Sequence, residues 1–418
     1  MYPRRRRRRR VVVARLFRTP LPVVMEEEEG PWGDLPDYVL LRITAYLRCR
    51  ADRVHMACVN KQWRAAVTGE PRPPPLPQVP QLPPQLPWLI FPSTKAPSFY
   101  SEIGRRRHHL PLPPDIRLAR FCGSSGGGWF VLSLDRRHSH SLYNINSGQR
   151  IDLPSGLVTH TGIKLPLVVR SATLSTSPGP QAYMVAAIVV VAKQFTIAFW
   201  CQGSDRFFLS SGPSLRRPQD VIYYREAFYS VNAAERVVAF WPGYRGQDSN
   251  EMLMRRVDYD MVQREDYRMD IAIGLTMVRY LVASRGQLLM VVRYFYVAEE
   301  TQMLRVFKFH IMRATVAGRP PIAKWVRIPE LDGRILLLGR GCSRSFETAQ
   351  FCGCQDCMIY FLDDNFNPDS TMTRGRRYYY TFDDIGTYDM LRNSVDPWPP
   401  AGRRPSKSDH APPTWWLP

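Results

Sequence analysis

The sequence predicts a small all-α unit of three short helices, followed by a large all-β domain for which a β-propeller is the best fit. Three observations carry this expectation. Apolar residues recur at helical spacing between residues 31 and 69. Nine prolines in the seventeen positions of PRPPPLPQVPQLPPQLP (71–87) then break the chain. From about Trp88 onward the chain is a series of short β-branched and aromatic runs separated by Gly, Pro, Asn, Asp or Ser.

Residues 1–30 read as a solvated tail. Its first 25 residues hold nine arginines, Arg4–Arg10 among them, and no acid, which leaves about +11 of the +20 formal charge on the other 393 residues. A run of seven arginines repels itself and resists folding. It suits a nuclear-import signal or an RNA-binding arm as well as a bare tail. An organelle transit peptide would be Arg-rich and acid-poor too, but it would be amphipathic and contain serine, which this segment does not. The expected location is therefore nucleus or cytoplasm, with organelle import the weaker alternative. Val11–Ala14 is too short for a secretory core, and eight cysteines without one imply free thiols in a reducing compartment.

Residues 31–69 form the helical unit. Asp34 and Pro36 read as a helix start, with the proline in the first turn. Leu40, Ile43 and Leu47 then repeat at i, i+3 and i+7, and ADRVHMACV and NKQWRAAV read as second and third helices. So small a unit holds more apolar side chains than it can bury alone, which implies a partner. The proline stretch, 70–87, reads as a semi-rigid spacer separating this unit from the β domain.

Residues 88–418 contain WFVLSL, YMVAAIVVVA, FTIAFW, DVIYY, AFYSV, RVVAFW, QLLMVVRYFYV, MLRVFKFHI, RILLLG, CMIYFLDD and RRYYYTF among other strand-like runs. Helical periodicity is weak and confined to about 250–268. A radial repeat of four-stranded blades accommodates some 330 residues of such strands, although no crisp repeat is visible. AYMVAAIVVVAKQFTIAFW (182–200) is interrupted by Lys193 and Gln194, so it reads as two buried strands and not as a membrane span.

WGDLPDYVLLRITAYLRCRADRVHMACVNKQWRAAVTG (32–69) resembles an F-box through Leu35, Pro36, Leu40, Ile43, Leu47, Asp52, Val59, Trp63 and Arg64. It departs from the pattern at Asn60, where that family often has Cys. LPWLIFP, GSSGGGWFVLSLD, LYNINSGQRIDLP, YLVASRGQLLMVVR, GRILLLGRGCSRSF, MIYFLDD and PPTWWLP resemble, in order, the β-propeller of the large plant F-box family of the KIB type. The resemblance implies the substrate receptor of a Skp–cullin–F-box ubiquitin ligase. In that role Leu35, Pro36, Leu40, Ile43, Leu47, Val59, Trp63 and Arg64 bind a Skp-family adapter and, through it, a cullin scaffold. The propeller would hold an unidentified protein substrate on one face. Such a receptor is not an enzyme and needs no cofactor.

Other motifs carry less chemistry. GSSGGG (123–128) lacks the Lys-Ser/Thr of a phosphate loop and leads into a strand, so it reads as a turn. His108, His109, His138 and His140 have no carboxylate or cysteine at ligand spacing and read as exposed side chains. Asp363–Asp364 and Asp383–Asp384 read as turn formers. Cys342, Cys352, Cys354 and Cys357 crowd into sixteen positions, but not as the repeated Cys-x-x-Cys of structural zinc sites. They read as incidental thiols on a late hairpin, and no metal is expected. Two rivals stay open: a nucleic-acid binder using the arginine tail, and a protein-binding propeller that works without a ligase.

Overall fold

The computed structural model describes Trp32, residues 35–68 and residues 85–417, except 135–138, 159–162, 210–214, 245–251, 273–275, 297–300, 316–317, 352–353, 363–383, 401, 404, 406–407 and 409–410. The arginine tail, Asp34, the proline stretch to residue 84, RRYYYTF and His138 all lie outside the described residues.

Three helices come first: α1 (Asp37–Tyr46), α2 (Arg50–Ala57) and α3 (Lys61–Thr68). Pro36 stands one place earlier than the sequence implied. It caps α1 from outside, and its carbonyl accepts the amides of Val39 and Leu40. Asn60 has a clear role, since its side-chain oxygen takes the Trp63 amide at 2.9 Å and caps α3. The unit's own core is only Leu40, Met56 and Ala66, flanked by Leu35, Ile43, Leu47, Trp63 and Val67.

The spacer does not hold this unit apart from the β domain, contrary to the sequence expectation. Cys49 and Ala51, with Val54 beside them, pack into a cluster with Trp88, Phe99, Leu110 and Trp416. The Gln85 side chain accepts the Arg50 amide at 2.8 Å, and Asp52 pairs with Arg106. Apolar surface that a three-helix unit cannot bury within itself is buried against the next domain instead.

Six sheets of four or five strands form the β domain, a six-bladed propeller. Blade 1 combines Trp88–Phe91, Ser98–Ser101 and Arg106–His109 with the C-terminal strand Thr414–Trp416 at its inner edge. Blade 2 runs over 120–153, blade 3 over 168–209 and blade 4 over 218–258. Blade 5 covers 276–328 and adds Asp260–Val262 in parallel at its outer edge, and blade 6 covers 334–397. Six apolar clusters fill the six spaces between neighbouring blades and close the ring. Inner strands such as Val168–Leu174 are buried at every position, whereas outer ones such as Arg150–Leu153 are mostly open.

Two local expectations change. Met252–Asp258, in the weakly helical stretch, is the outer strand of blade 4, paired along its length with Val237–Tyr244. A short helix begins only at Tyr267. The late cysteine region is not a simple hairpin: Arg334–Leu338 and Met358–Phe361 pair in parallel. Between them the chain passes through Gly339–Ser343 to an additional strand, Arg344–Glu347, at the inner edge of blade 6.

Ring closure rests on three tryptophans, Trp88, Trp415 and Trp416, each no more than 1% exposed. Trp88 stacks on Phe99 and meets Trp416 edge-on, with ring centroids 4.5 and 4.6 Å away. Trp416→Ala should cost about 3–5 kcal/mol of stability. Urea unfolding followed by near-UV circular dichroism should show the whole β domain melting earlier, not one blade alone.

Candidate functional site

Strand direction sorts the functional groups onto two faces. Within a blade the innermost and third strands run the same way, because each is antiparallel to the second. The turn after Ser101, which receives α2 through Cys49 and Gly104, therefore lies on the face where the innermost strands end. Arg120, Arg170 and Arg217 lie on the opposite face, at or beside the starts of the innermost strands of blades 2, 3 and 4.

These three arginines, with Arg340 from the Gly339–Ser343 turn of blade 6, line a cavity of about 320 Å³ at the mouth of the central channel. Among the described residues, Ser171, Ile188, Phe195, Pro218 and Gln219 also line it. Arg120 donates to the Arg170 carbonyl at 3.3 Å. Burial lowers the pKa of Arg340 and the like charge of Arg120 lowers it further, with Asp220 acting in the opposite sense.

Beneath the mouth the channel is closed by backbone. A Cβ on Gly123 would fall 1.9 Å from the Ala172 carbonyl oxygen, and one on Gly341 2.3 Å from the same atom. Only glycine allows both chains to approach so closely, and Gly341 also has φ 71°. Asp220 locks this level. Its carboxylate accepts the amides of Val221 at 2.9 Å, Leu281 at 2.8 Å and Gly341 at 2.8 Å, joining blades 4, 5 and 6. Burial pushes the Asp220 carboxyl up to about 7, against the pull of those amides and of Arg340.

A family model described as the KIB1-4 beta-propeller matches residues 97–389, well over half of the chain. The chain belongs to the KIB1-4 β-propeller family. No curated protein matches it. Among solved structures, the KIB propeller is similar to the N-terminal domain of Nup159 at 9% identity, with 78% of each chain covered and a TM-score of 0.31. A nidogen/laminin complex matches at 8% identity, with 79% of this chain and 99% of that one covered and a TM-score of 0.33. Likenesses at this level carry no functional argument.

The sequence did not single out the KIB propeller's arginine mouth. Arg120 opens a strand, Arg170 lies within one, Arg217 precedes one and Arg340 sits in a turn, so no shared sequence pattern links them before the strands are arranged around the ring. The helical residues chosen from the sequence divide by burial. Leu40 is fully buried in the helical core, so it supports the unit and offers no contact surface, a correction that follows from the tiny size of that core. Leu35, Ile43, Leu47, Trp63 and Arg64 are partly buried, while Pro36 and Val59 are exposed. Trp32, Tyr38 and Tyr46 are about 70% exposed and enlarge the apolar surface. The Trp63 indole donates to the Trp32 carbonyl at 3.2 Å.

Two histidines of the KIB propeller are not exposed as expected. His140 is 1% exposed at the start of the third strand of blade 2, where its Nε2 accepts the Val169 amide at 3.3 Å. His108 stacks on Phe99, and burial together with Arg106 and His55 holds its imidazole down to about 4. His109 is exposed. Asp384 does more than form a turn, since its carboxylate pairs with the fully buried Arg293. Cys342 and Cys357 lie in different core clusters, and no disulfide joins any two of the seven described cysteines. The one potential metal-ligand group among the described residues is Cys49, Asp52 and His108. Asp52 is held there by Arg106 and Cys49 Sγ lies 3.2 Å from Ser101 Oγ, while His108 Nε2 is buried without a hydrogen-bond partner.

The raised Asp220 pKa sets a pH dependence. Its folded value of about 7 lies above the ordinary value near 4, so the folded state holds the proton more tightly. This contribution to stability is complete at acid pH and declines as pH rises through 7. Urea midpoints should fall from pH 5 to pH 8 in the wild type. Asp220→Asn should flatten that slope and lose about 1–3 kcal/mol at pH 5 through an unmatched amide. Equal slopes in both proteins would contradict the assignment.

Proposed function

We propose that this chain is the substrate-recognition subunit of a Skp–cullin–F-box ubiquitin ligase. The helical unit binds the Skp-family adapter, and through it the cullin, while the propeller binds the target protein. The observation that carries this reading is how the helical unit is attached. One side of α2 is anchored to blade 1, while Pro36, Tyr38 and Val59 remain exposed beside half-buried Leu35 and Trp63. A surface with an aromatic anchor and apolar neighbours suits a protein interface.

The arrangement also fits a receptor that acts without chemistry of its own. Its catalytic contribution is proximity: a target held at a fixed place relative to the conjugating enzyme reacts as if highly concentrated. Rigid docking of α2 on the propeller serves that end better than a loose tether. The arginine mouth lies on the face away from the helical unit, so target and adapter need not compete for space. No cofactor is required, and among the described residues no helix is long and apolar enough to cross a membrane. The proposed setting is nucleus or cytoplasm, where cullin ligases have access to their targets.

Full-length protein co-expressed with a Skp-family adapter should elute as a stable complex. Val59→Asp and Trp63→Ala should each reduce adapter co-purification at least about tenfold, with the propeller's thermal midpoint unchanged. Leu40→Asp should abolish it by unfolding the helical unit, since it buries an unpaired charge. Full adapter binding by the Val59 and Trp63 variants would overturn the proposal. The same complex also separates it from a ligase-independent propeller, which would not retain the adapter.

A further inference from the structure

We infer that a zinc ion clips the helical unit to the propeller, held by Cys49 at the start of α2, Asp52 on α2 and His108 of blade 1. The inference rests on how α2 packs against blade 1 and is independent of the adapter reading.

Geometry comes first. Cys49 Sγ, an Asp52 carboxylate oxygen and a His108 ring nitrogen all lie within 4.8 Å of one another. Zinc bonds of about 2.0–2.3 Å place tetrahedral ligands roughly 3.3–3.7 Å apart, so side-chain rotations of about an ångström close the set. Cys49 immediately precedes α2 and Asp52 follows at i+3, a spacing that puts both side chains on one face. His108 comes from the third strand of blade 1, which the Asp52–Arg106 ion pair ties to α2.

The surroundings suit bound metal. Cys49 is buried, and Ser101 Oγ accepts the Gly104 amide at 3.1 Å, which leaves its hydrogen to donate to Cys49 Sγ at 3.2 Å. A hydroxyl donating to sulfur supports a metal-bound thiolate. Arg106 engages Oδ1 of Asp52, so Oδ2 is open to the ion, and the pair orients the carboxylate as outer partners of a metal ligand do. Buried Arg53 donates instead to the carbonyls of Leu47 and Arg48.

His108 supplies the third line of argument. Its Nε2 is buried with no hydrogen-bond partner, a costly state that a cation on this ring would relieve. His55, a further i+3 along α2, brings its ring centroid to 6.0 Å from that of His108, near enough to supply a fourth ligand on rotation. Sulfur and imidazole in one set argue against magnesium and calcium, which take oxygen ligands, whereas four-coordinate zinc accepts Cys, His and Asp together. The ion is a structural clip between two elements far apart in the chain, which is why no sequence spacing marks it.

The test uses the full-length protein, stripped with a chelator and titrated with zinc chloride or cobalt chloride. Metal analysis should find zinc at about one equivalent per chain. Cobalt should give the strong visible bands of four-coordination and a near-ultraviolet thiolate-to-metal band. Cys49→Ser should abolish the thiolate band, and His108→Gln should keep it while weakening cobalt at least about tenfold. Zinc should also slow amide exchange about tenfold or more in α2 and in Arg106–His109 of the wild type. Asp52→Asn, at a partly exposed position, should lose most of that protection, and it decides the matter if the variants at Cys49 or His108 misfold. Cys354→Ser, in the late cysteine region, should leave every readout at its wild-type value. A protein that retains no zinc, a cobalt spectrum without a thiolate band, or binding that follows Cys354 and not Cys49 would each overturn the inference.

Discussion

The structure depends on closing a ring with the two ends of one domain. Thr414–Trp416 supplies the inner strand of the first blade, pairing antiparallel to Trp88–Ile90 across more than three hundred residues of intervening chain. Each of the six apolar clusters has walls on two blades, so no blade has a complete core by itself. Opening the seam exposes tryptophan faces and removes one wall from two clusters at once. That makes closure a non-local contact whose loop entropy must be offset by the apolar burial that follows it.

The same closure creates the polar centre. Six innermost strands brought around one axis force their backbones together, and Gly123, Ala172 and Gly341 mark where the approach is tightest. Asp220 turns that crowding into a joint by satisfying amides from three blades with one carboxylate. Farther out, Glu235 does similar work between blades 4 and 5. It is 2% exposed and accepts both Arg264 and Arg279. Such buried ionic joints contribute less to net stability than apolar packing of the same volume, but they fix one arrangement of neighbouring blades.

The helical unit shows how one sequence feature can support two packing outcomes. Its excess of apolar side chains implied a partner surface, and the proline stretch implied separation from the β domain. Part of the excess is instead spent inside the chain: Cys49, which precedes α2, and Ala51 and Val54 on α2 face blade 1, while Tyr38 and Tyr46 of α1 and the flanking Pro36 and Val59 stay on the surface. A count of apolar residues cannot say which of them will meet the chain's own next domain. Docking also explains the buried Cys49 and half-buried His108, which have no significance within their own elements.

What the sequence determined by itself follows from local physics. Helical spacing between Leu40 and Leu47 and the β-branched runs from Trp88 onward depend on neighbours a few positions apart, and both survive among the described residues. The apolar character of strands such as Met184–Val191 and Gln194–Cys201 was plain because both of their faces are covered. Tertiary structure alone decided the rest. Arg120, Arg170, Arg217 and Arg340 are ordinary single arginines until ring closure gathers them at one mouth, and Asp220 is an ordinary acid until three blades present amides to it. Pairing Arg334–Leu338 in parallel with Met358–Phe361, and burying His140, likewise required partners far along the chain. Local periodicity records which face of an element is covered. It holds no record of which distant residues will cover it, and in a closed ring the site is built from those distant residues.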